Sequence, residues 1–430
     1  MTKTVIRFFV LALFAAMVIS ARAQPCPVAQ MISPVNGATL SVGPVTFTWC
    51  VANADYFLTV ESFQGAANIF NSQVSVTTVT LGPFCSPTVP LQCIPSQGEP
   101  IYVTLWTQIH GVWQTPFHYT YTAGQSYHVT NLVSDIPGTA AHTDVNLVNS
   151  WGLAHGKTTP WWVSDNGTGV STVYDGFGNP FPAGTPLVVT IPTSSGAGTA
   201  SPTGIVALGN KFVFVTEDGT ISEWSTGSRA VIKVKSPGKV YTGCALGTLN
   251  GAPTLYVANR AGIEAYDTLF HPVTLPSGAF TDAKIPAGYT PYNVQSAGGR
   301  IFVTFVNGLF GPGLGYVDAF DASGTLLVSL QHGTWMNAPW GVAMAPANFG
   351  TVGNTILVGQ LGSGNIAAFN RSTGKFMRSL KDSTGAAIAI NGLWSLGFGN
   401  DGSAGPSTTL FFTAGTGNYL HGTFGSILPD

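Results

Sequence analysis

Apolar and polar residues alternate with a period of two along most of the chain, in short runs separated by turns that contain Gly and Pro. In VTFTW the apolar residues at 45, 47 and 49 share one face, and in YFLTV those at 56, 58 and 60 do so. A period of two is typical of β-strands, whose successive side chains point to opposite faces. No helical stretch interrupts the pattern before about residue 123. We therefore expect an all-β protein that begins, over residues 24–123, with a small Ig/fibronectin-like β-sandwich.

From residue 151 onward the alternation is organised in repeats. Each repeat has a first short strand, a second apolar run, a Gly-bearing turn and a third run, and five copies continue into a fourth. Six such copies at a spacing of roughly 40–54 residues predict a six-bladed β-propeller over residues 124–430. The first strands of the copies are SWGLA, PTGIV, YTGCAL, PYNVQ, PWGVA and LWSLGF.

The sixth copy lacks its own fourth strand, because the sequence ends shortly after FGSILP. A propeller with an unpaired last sheet would expose a strand edge, which is a site for unwanted pairing. The strand-like stretch SYHVTNLVSD, residues 126–135, precedes the first copy and belongs to none of them. We expect this N-terminal strand to close the ring beside the sixth copy.

The first 23 residues have the features of a secretory signal peptide. Lys3 and Arg7 give a positive start, an apolar run covers residues 8–20, and Ala-Arg-Ala at 21–23 is a small-x-small cleavage site. No later segment is apolar enough to suggest membrane insertion. We therefore expect a secreted protein, extracellular or periplasmic.

The composition and net charge of the chain limit the classes of molecule that it is expected to bind. Loss of residues 1–23, which hold three of the 16 basic residues, would move the net charge from −2 to about −5, and only 8% of residues are charged. Nucleic-acid-binding proteins need a concentrated basic face, so this class is excluded. The expected partner is a small polar ligand, a glycan or a protein, and we expect a monomer.

Five cysteines are present, four of them within the predicted sandwich. In an exported protein such cysteines form disulfides, and four permit three pairings. We favour Cys85–Cys93, which closes a short Pro-containing loop, together with Cys26–Cys50. Cys244 lies in the apolar stretch YTGCAL and is expected to be a small buried side chain.

Two rings of side chains are predicted at one mouth of the channel. The turn between the second and third strands opens on the same face as the start of the first strand, so both positions converge there. Aromatic faces beside short polar groups suit a sugar ring or another small polar ligand. The alternative is that the large residues only seal the narrow end of the ring. Alignment of the repeats gives one ring as Asp165, Glu217, Asn259, Phe305, Gln360 and Ala414. The other ring is Trp151, Thr203, Thr242, Tyr292, Trp340 and Trp394, with Asn166 and Arg260 close by.

Motifs of common enzymes are absent from the sequence. It contains no Walker sequence, H-E-x-x-H, C-x-x-C or G-x-S-x-G stretch, and GFGNDG at 397–402 is a turn rather than a dinucleotide site. No catalytic residue is therefore predicted. The strongest chemical alternative is an oxygen-rich calcium site at Asp165, Glu217 and Asn259. The opposing interpretation is ordinary capping of turns by Asp and Asn, as at Asp218-Gly219 in FVFVTEDGTISEW.

The repeat region resembles an uncharacterised family of exported bacterial six-bladed β-propeller proteins related to the NHL and YVTN-type propellers. The stretches that carry the resemblance include NLVNSWGLA, WWVSDNGTG, TEDGTISEW, NAPWGVAMAPANFG and NGLWSLGFGN, and the match covers residues 129–429. The resemblance implies the fold and export but no chemistry. Two departures concern metal binding: VNGLFGPGLG at 306–315 is short and neutral, and Asn391 stands where an acidic residue is common in the family.

The sequence thus favours an exported, non-catalytic protein whose propeller face binds its ligand. One alternative is a calcium-dependent hydrolase or lyase, in which the metal polarises a carbonyl or activates water. Another is a structural or adhesive surface protein. The ligand-binding candidates are Trp151, Asp165, Glu217, Asn259, Arg260, Tyr292, Trp340 and Trp394.

Overall fold

The computed structural model describes residues 25–430 except 53, 67, 83–93 and 95–96. The predicted signal peptide and the predicted Cys85–Cys93 bridge lie outside the described residues. The chain divides into two compact units, the first formed mainly by residues up to 122 and the second by residues 123–430 with two short preceding segments. Both consist of β-strands, and the all-β class is confirmed.

The described part of the first unit forms a three-stranded sheet and a five-stranded sheet. As the alternation predicts, Phe47 and Trp49 are buried, and so are Tyr56 and Leu58. Phe47 contacts Tyr121 and Trp49 contacts Tyr56, which joins the inner faces of the two sheets. The strands are β1 (Met31–Ser33), β2 (Val45–Trp49), β3 (Asp55–Glu61), β4 (Phe70–Val74), β5 (Thr78–Leu81), β6 (Pro100–Ile109), β7 (Val112–Trp113) and β8 (Phe117–Thr122).

One of the two disulfides predicted for this unit lies within the described residues. Cys26 and Cys50 form a disulfide across 24 residues of sequence, which confirms one of the two predicted bridges. Closing a loop of this length stabilises the folded state by about 3 kcal/mol in the chain-entropy account. Cys244 of the second unit is free and buried, and burial raises the pKa of its thiol. It packs as a small apolar side chain.

Residues 123–430, all of them described, form six sheets, and in five of them four antiparallel strands follow one another along the chain. We number them sheets I to VI. Sheets I to III contain β11 (Ser150–Ala154), β12 (Trp161–Asp165), β13 (Val170–Tyr174), β14 (Val188–Thr190); β15 (Pro202–Leu208), β16 (Lys211–Thr216), β17 (Thr220–Trp224), β18 (Val231–Lys235); and β19 (Tyr241–Leu249), β20 (Ala252–Asn259), β21 (Gly262–Tyr266), β22 (Pro272–Val273).

Sheets IV and V have the same plan, and sheet VI combines strands from both ends of the unit. A 3-10 turn at Gly350–Val352 and a short helical turn, α1, at Thr416–Tyr419 complete the elements. The strands are β23 (Thr290–Ala297), β24 (Arg300–Val306), β25 (Tyr316–Phe320), β26 (Leu326–Ser329); β27 (Pro339–Met344), β28 (Thr355–Gln360), β29 (Ile366–Asn370), β30 (Phe376–Ser379); and, in sheet VI, β31 (Leu393–Phe398), β32 (Leu410–Ala414), β33 (Thr423–Pro429), β9 (Tyr127–Ser134), β10 (His142–Thr143).

Sheet VI closes the unit. The strand β9 pairs antiparallel with β33, with Val133 opposite Phe424 and Tyr127 opposite Pro429. The first strand of each sheet contacts the first strands of its two neighbours, and β31 contacts β11. The six first strands therefore form a closed ring around a central channel, and the segment at 126–135 supplies the fourth strand of the last sheet, with the short β10 beyond it.

Four of the six first strands have glycine as their third residue, at 152, 204, 243 and 341, because neighbouring first strands approach closely there. A Cβ on Gly152 would clash with the carbonyl oxygen of Thr203 in the next sheet, and one on Gly341 with that of Trp394. The sheets converge most closely at these glycines, as expected where only a residue without a side chain fits between two backbones.

One buried carboxyl group lies in the third strand of sheet IV. Asp318 is 2% exposed, and its Oδ2 has no hydrogen-bond partner among the described residues. Burial and the nearby Asp282 raise the pKa of Asp318 to about 7, while Ser329 and Lys284 act in the opposite direction. Between about pH 4 and pH 7, Asp318 therefore keeps its proton in the folded protein, whereas in the unfolded chain, where its pKa is about 3.9, it releases that proton.

Asp318→Asn is expected to stabilise the protein at neutral pH. The raised pKa makes the contribution of Asp318 most favourable below about pH 4, and this contribution is lost as pH rises through about 7. The variant has no charge to bury, so its melting temperature should exceed that of the wild type by a few degrees at pH 8, with the gain shrinking toward pH 4. Melting curves from pH 4 to 8 test this, with exposed Asp55→Asn as the control. Equal gains at both ends of the range would contradict it.

Candidate functional site

The four predicted aromatic residues meet at one end of the channel. Trp151, Trp340 and Trp394 are buried, Tyr292 is partly buried, and together they form one cluster. The rings of Trp151 and Trp394 stack with centroids 3.8 Å apart, and Trp340 meets Trp394 edge-on at 5.7 Å. Tyr292 lies 6.5 Å from Trp151 and 6.1 Å from Trp394. We call this cluster the aromatic floor.

Each of the three tryptophans lies at the second position of a first strand, which places its ring against the axis of the channel. The indole Nε1 of Trp340 donates to the carbonyl oxygen of Thr242 at 3.2 Å, and that of Trp394 to Asn149 Oδ1 at 3.1 Å. Trp151 Nε1 and Thr242 Oγ1 are buried without a hydrogen-bond partner among the described residues. A buried polar atom without a hydrogen bond lowers the stability of the folded protein, so such atoms need an explanation where they line a pocket.

A pocket of about 390 Å³ lies over the aromatic floor. Trp151, Thr242 and Tyr292 line it together with two charged residues, Glu217 and Arg260. The remaining wall is largely apolar and includes the loop between β24 and β25. We call this space the mouth pocket. Its volume falls within the range of about 300–1,000 Å³ that is usual for small-molecule sites.

The structure corrects the predicted register of the polar ring. Asp165 pairs with Ser150 and Asn259 pairs with Tyr241, but the equivalent partner of Pro202 is Thr216 rather than Glu217. Glu217 is therefore level with Asn166 and Arg260, one residue beyond the predicted position. A shift of one residue changes the face to which a side chain points. This is why Glu217 and Arg260 reach the mouth pocket, which the residues at Asp165 and Asn259 do not line.

Asp165 is enclosed within sheet I. Its carboxylate accepts hydrogen bonds from the backbone N of Thr172 at 3.0 Å, from Thr172 Oγ1 at 2.8 Å and from Ser150 Oγ at 3.4 Å. Burial raises its pKa well above the usual value, and Asp144 adds to the rise. Asp165 thus holds strands together from the inside.

Asn259 serves the hairpin between β20 and β21. Its Oδ1 accepts from the backbone N of Ala261 at 2.7 Å, and its Nδ2 donates to Glu264 Oε1 at 2.6 Å. Glu264 also accepts from Lys239 and from two tyrosine hydroxyl groups. Burial opposes the charge of Glu264, but these hydrogen bonds, Lys239 foremost, lower its pKa.

The proposed metal ligands Asp165, Glu217 and Asn259 therefore have separate partners. Within the described part of the chain, no three His, Cys, Asp or Glu side chains are grouped closely enough to hold a metal ion. Asp218 and Gly219 form the turn between β16 and β17, as the D-G pair predicts. Asp218 Oδ2 accepts from the backbone N of Ser194 at 2.8 Å, and Gly219 has a positive φ of 77°. The calcium site remains a prediction from the sequence.

A chain of amide side chains connects the aromatic floor to Glu217. Asn149 accepts from Trp394 and donates through Nδ2 to Asn166 Oδ1 at 3.0 Å. Asn166 in turn donates through Nδ2 to Glu217 Oε2 at 3.1 Å. Asn149 is not among the residues predicted from the sequence, although its position directly before SWGLA was a usable signal. This chain fixes one carboxylate oxygen of Glu217.

Tyr419 of α1 is a second site residue that was not predicted from the sequence. Its ring lies 5.8 Å from that of Trp394, at the edge of the aromatic floor. Burial raises the pKa of Tyr292, with further increases from Tyr419 and Glu217 and an opposing decrease from Arg260. Tyr292 is therefore close enough to Glu217, Arg260 and Tyr419 for their charges to change the pKa of its hydroxyl group.

Chemically, the site offers aromatic faces for stacking, and one carboxylate and one guanidinium for charge-assisted hydrogen bonds. The described residues do not supply a nucleophile activated by a neighbouring base within the mouth pocket. Among the described residues, no helix is long and apolar enough to cross a bilayer.

The proteins whose sequences are similar to this chain are uncharacterised viral proteins. No family model matches the sequence. Over 339 residues the chain is 26% identical to the uncharacterised protein R648 of Acanthamoeba polyphaga mimivirus, covering 71% of this chain and 81% of that protein. It is 31% identical over 219 residues to the uncharacterised protein R640 of the same virus, covering 47% of this chain and 39% of the relative.

Similar solved structures are β-propeller proteins of varied function. The WD40 β-propeller domain of Doa1 has a TM-score of 0.41 at 9% identity and covers 77% of this chain and 90% of its own. Streptogramin B lyase has a TM-score of 0.43 at 13% identity, covering 71% and 98%. The calcium-binding protein regucalcin from Agrobacterium tumefaciens strain C58 has a TM-score of 0.43 at 12% identity, covering 66% and 91%. Similarity at this level carries no argument about the site.

Proposed function

We propose that this chain is an exported six-bladed β-propeller preceded by an Ig-like module. The six sheets around one channel support the blade number, and the pairing of β9 with β33 supports closure by an N-terminal strand. Two β-sheets with joined inner faces support the Ig-like module. The features of residues 1–23 support export to the extracellular space or the periplasm.

We further propose that the protein binds a small polar ligand in the mouth pocket, without catalysing a reaction. The observation that carries this proposal is the presence of Glu217 and Arg260 in one pocket above an aromatic floor. A ring of tryptophans that served only to seal the channel would not need charged groups above it. Concave sites lined by aromatic rings with a few placed polar groups are typical of ligand binding.

Tyr292→Leu is expected to weaken ligand binding at least about tenfold. Tyr292 forms the partly buried edge of the aromatic floor, so the change removes a stacking surface while leaving the three tryptophans in place. Isothermal titration calorimetry and thermal shift with D-glucose, N-acetyl-D-glucosamine and L-phenylalanine would identify binding by the wild type.

The matched control is Tyr102→Leu, a partly buried tyrosine of the first unit. Binding of at least one compound by the wild type and by Tyr102→Leu, with loss in Tyr292→Leu, is the expected result. A wild-type protein that binds none of the three compounds, or a Tyr292→Leu variant that binds as the wild type does, would overturn the proposed site.

A further inference from the structure

The two charged groups of the mouth pocket form no ion pair with each other or with any other described residue. Arg260 is exposed and forms no hydrogen bond or ion pair with the other described residues. Glu217 accepts one side-chain hydrogen bond, from Asn166 to Oε2, and forms no ion pair with a described residue. Elsewhere in the same unit acidic and basic groups do pair, as in Lys211–Glu223 at 3.1 Å and Lys239–Glu264 at 2.6 Å. One positive and one negative charge are therefore available to a ligand.

Most of the other residues that line the mouth pocket are apolar or aromatic. Trp151 and Tyr292 form its base, and Val306 packs against the same cluster. The loop after β24 adds two exposed apolar residues, Leu309 at 61% and Phe310 at 57% exposure. A ligand that buried these side chains would gain binding free energy in proportion to the apolar surface removed from water.

We propose that the ligand is a small zwitterion with an apolar or aromatic group, of which an α-amino acid is the simplest member. Its ammonium group would lie against Glu217, its carboxylate against Arg260, and its side chain over the aromatic floor and the Leu309–Phe310 loop. This inference rests on the proposed function and specifies the class of ligand.

Charge complementarity favours this class over three others. A neutral sugar leaves both charges without a counter-charge. A simple anion is attracted by Arg260 but repelled by Glu217. A simple cation is attracted by Glu217 but repelled by Arg260. Only a ligand with both signs uses both groups, and charge-assisted hydrogen bonds are roughly twice as strong as neutral ones. The guanidinium group is also suited to a carboxylate, because its planar donors bind two oxygens at once.

Three probes separate the two charges of the ligand. L-phenylalanine carries both, L-phenylalaninamide retains only the ammonium group, and N-acetyl-L-phenylalanine retains only the carboxylate. Titration calorimetry at pH 6 keeps the α-amino group protonated, since even the α-amino group of a peptide terminus has a pKa of about 7.7–8.0. The wild type should bind L-phenylalanine at least about tenfold more tightly than either derivative, and more tightly than D-glucose.

Two variants assign the charges to residues. Arg260→Gln should lose about tenfold in affinity for L-phenylalanine, which corresponds to about 1.4 kcal/mol, and should no longer prefer it over the amide. Glu217→Gln should show a similar loss and should no longer prefer L-phenylalanine over the N-acetyl derivative. Arg371→Gln and Glu99→Gln make the same changes of charge outside the mouth pocket and should bind as the wild type does.

The outcomes separate this inference from the proposed function. Tighter Tyr292-dependent binding of D-glucose than of L-phenylalanine would overturn the zwitterion and leave the mouth pocket as a binding site. Equal affinity for the three phenylalanine probes would also overturn the zwitterion. A wild-type protein that binds none of the compounds would overturn both.

Discussion

Replacing Val133 by aspartate is expected to destabilise the second unit by about 4 kcal/mol or more. Val133 is fully buried in β9, where it packs in a cluster with Tyr174, Phe411 and Phe424. It lies directly opposite Phe424 of β33, so the new carboxylate would be buried against an aromatic side chain. A buried unpaired charge is among the few single changes that cost this much.

Because of the position of β9, Val133→Asp should destabilise the protein more than a substitution that disturbs only its immediate neighbours. This strand comes from the start of the unit and pairs with the end, so its loss leaves β33 with an open edge and separates the two ends of the ring. The apolar contacts between sheets VI and I would weaken at the same time, because the cluster around Val133 draws on both sheets.

Urea unfolding followed by tryptophan fluorescence measures this effect, since seven of the ten tryptophans lie beyond residue 150. The control is Asn131→Asp, which adds the same charge to an exposed position of the same strand and should change stability by no more than about 0.5 kcal/mol. Similar midpoints for the two variants would show that β9 contributes little to closure.

Trp394→Ala is expected to cost about 3–5 kcal/mol of stability and to abolish ligand binding. Trp394 is 2% exposed, stacks on Trp151 and contacts Trp340, Tyr292 and Tyr419. Its removal leaves a cavity at the centre of the aromatic floor, and large-to-small changes of this kind have costs in that range.

The loss of binding should exceed what the lost contact area alone would produce. Trp394 donates to Asn149, which positions Asn166, which in turn holds Glu217. Trp394→Phe retains a ring but not the indole N–H, so it should be less destabilising than Trp394→Ala while still weakening the binding that depends on Glu217. Calorimetry with L-phenylalanine and urea unfolding of both variants test this.

The exposed Trp113 of the first unit provides the matched control, and Trp113→Ala should leave both quantities almost unchanged. Full binding by Trp394→Phe together with weak binding by Trp394→Ala would show that the ring matters and the chain of amides does not.

Much of the fold could be predicted from local patterns. Alternation of period two marked the strands, as in VTFTW and SWGLA, because a strand with one buried face must carry apolar residues at every second position. The recurrence of the second-position aromatics at 151, 292, 340 and 394 was sufficient to predict that they meet. Equivalent positions of a repeat lie at equivalent places around an axis, so sequence spacing translates directly into proximity.

The polar part of the site was less predictable. The sequence placed Glu217 level with Asp165 and Asn259, whereas the strand pairing places Thr216 there. Turns tolerate an added or missing residue, and a one-residue difference directs a side chain into the sheet or toward the mouth. Alignment of apolar runs does not contain that information.

The sequence by itself determined the all-β class, the strand segments of the repeats and the meeting of four aromatic residues. These depend on periodicity and residue type, which each short segment carries within itself. Only the tertiary structure decided that Asp165 and Asn259 hold the sheets and turns, while Glu217 and Arg260 remain available in the mouth pocket. The partners of a polar group are set by side chains far away in the sequence, such as Trp394, Asn149 and Asn166 in the chain that ends at Glu217, and these come together only when the ring closes.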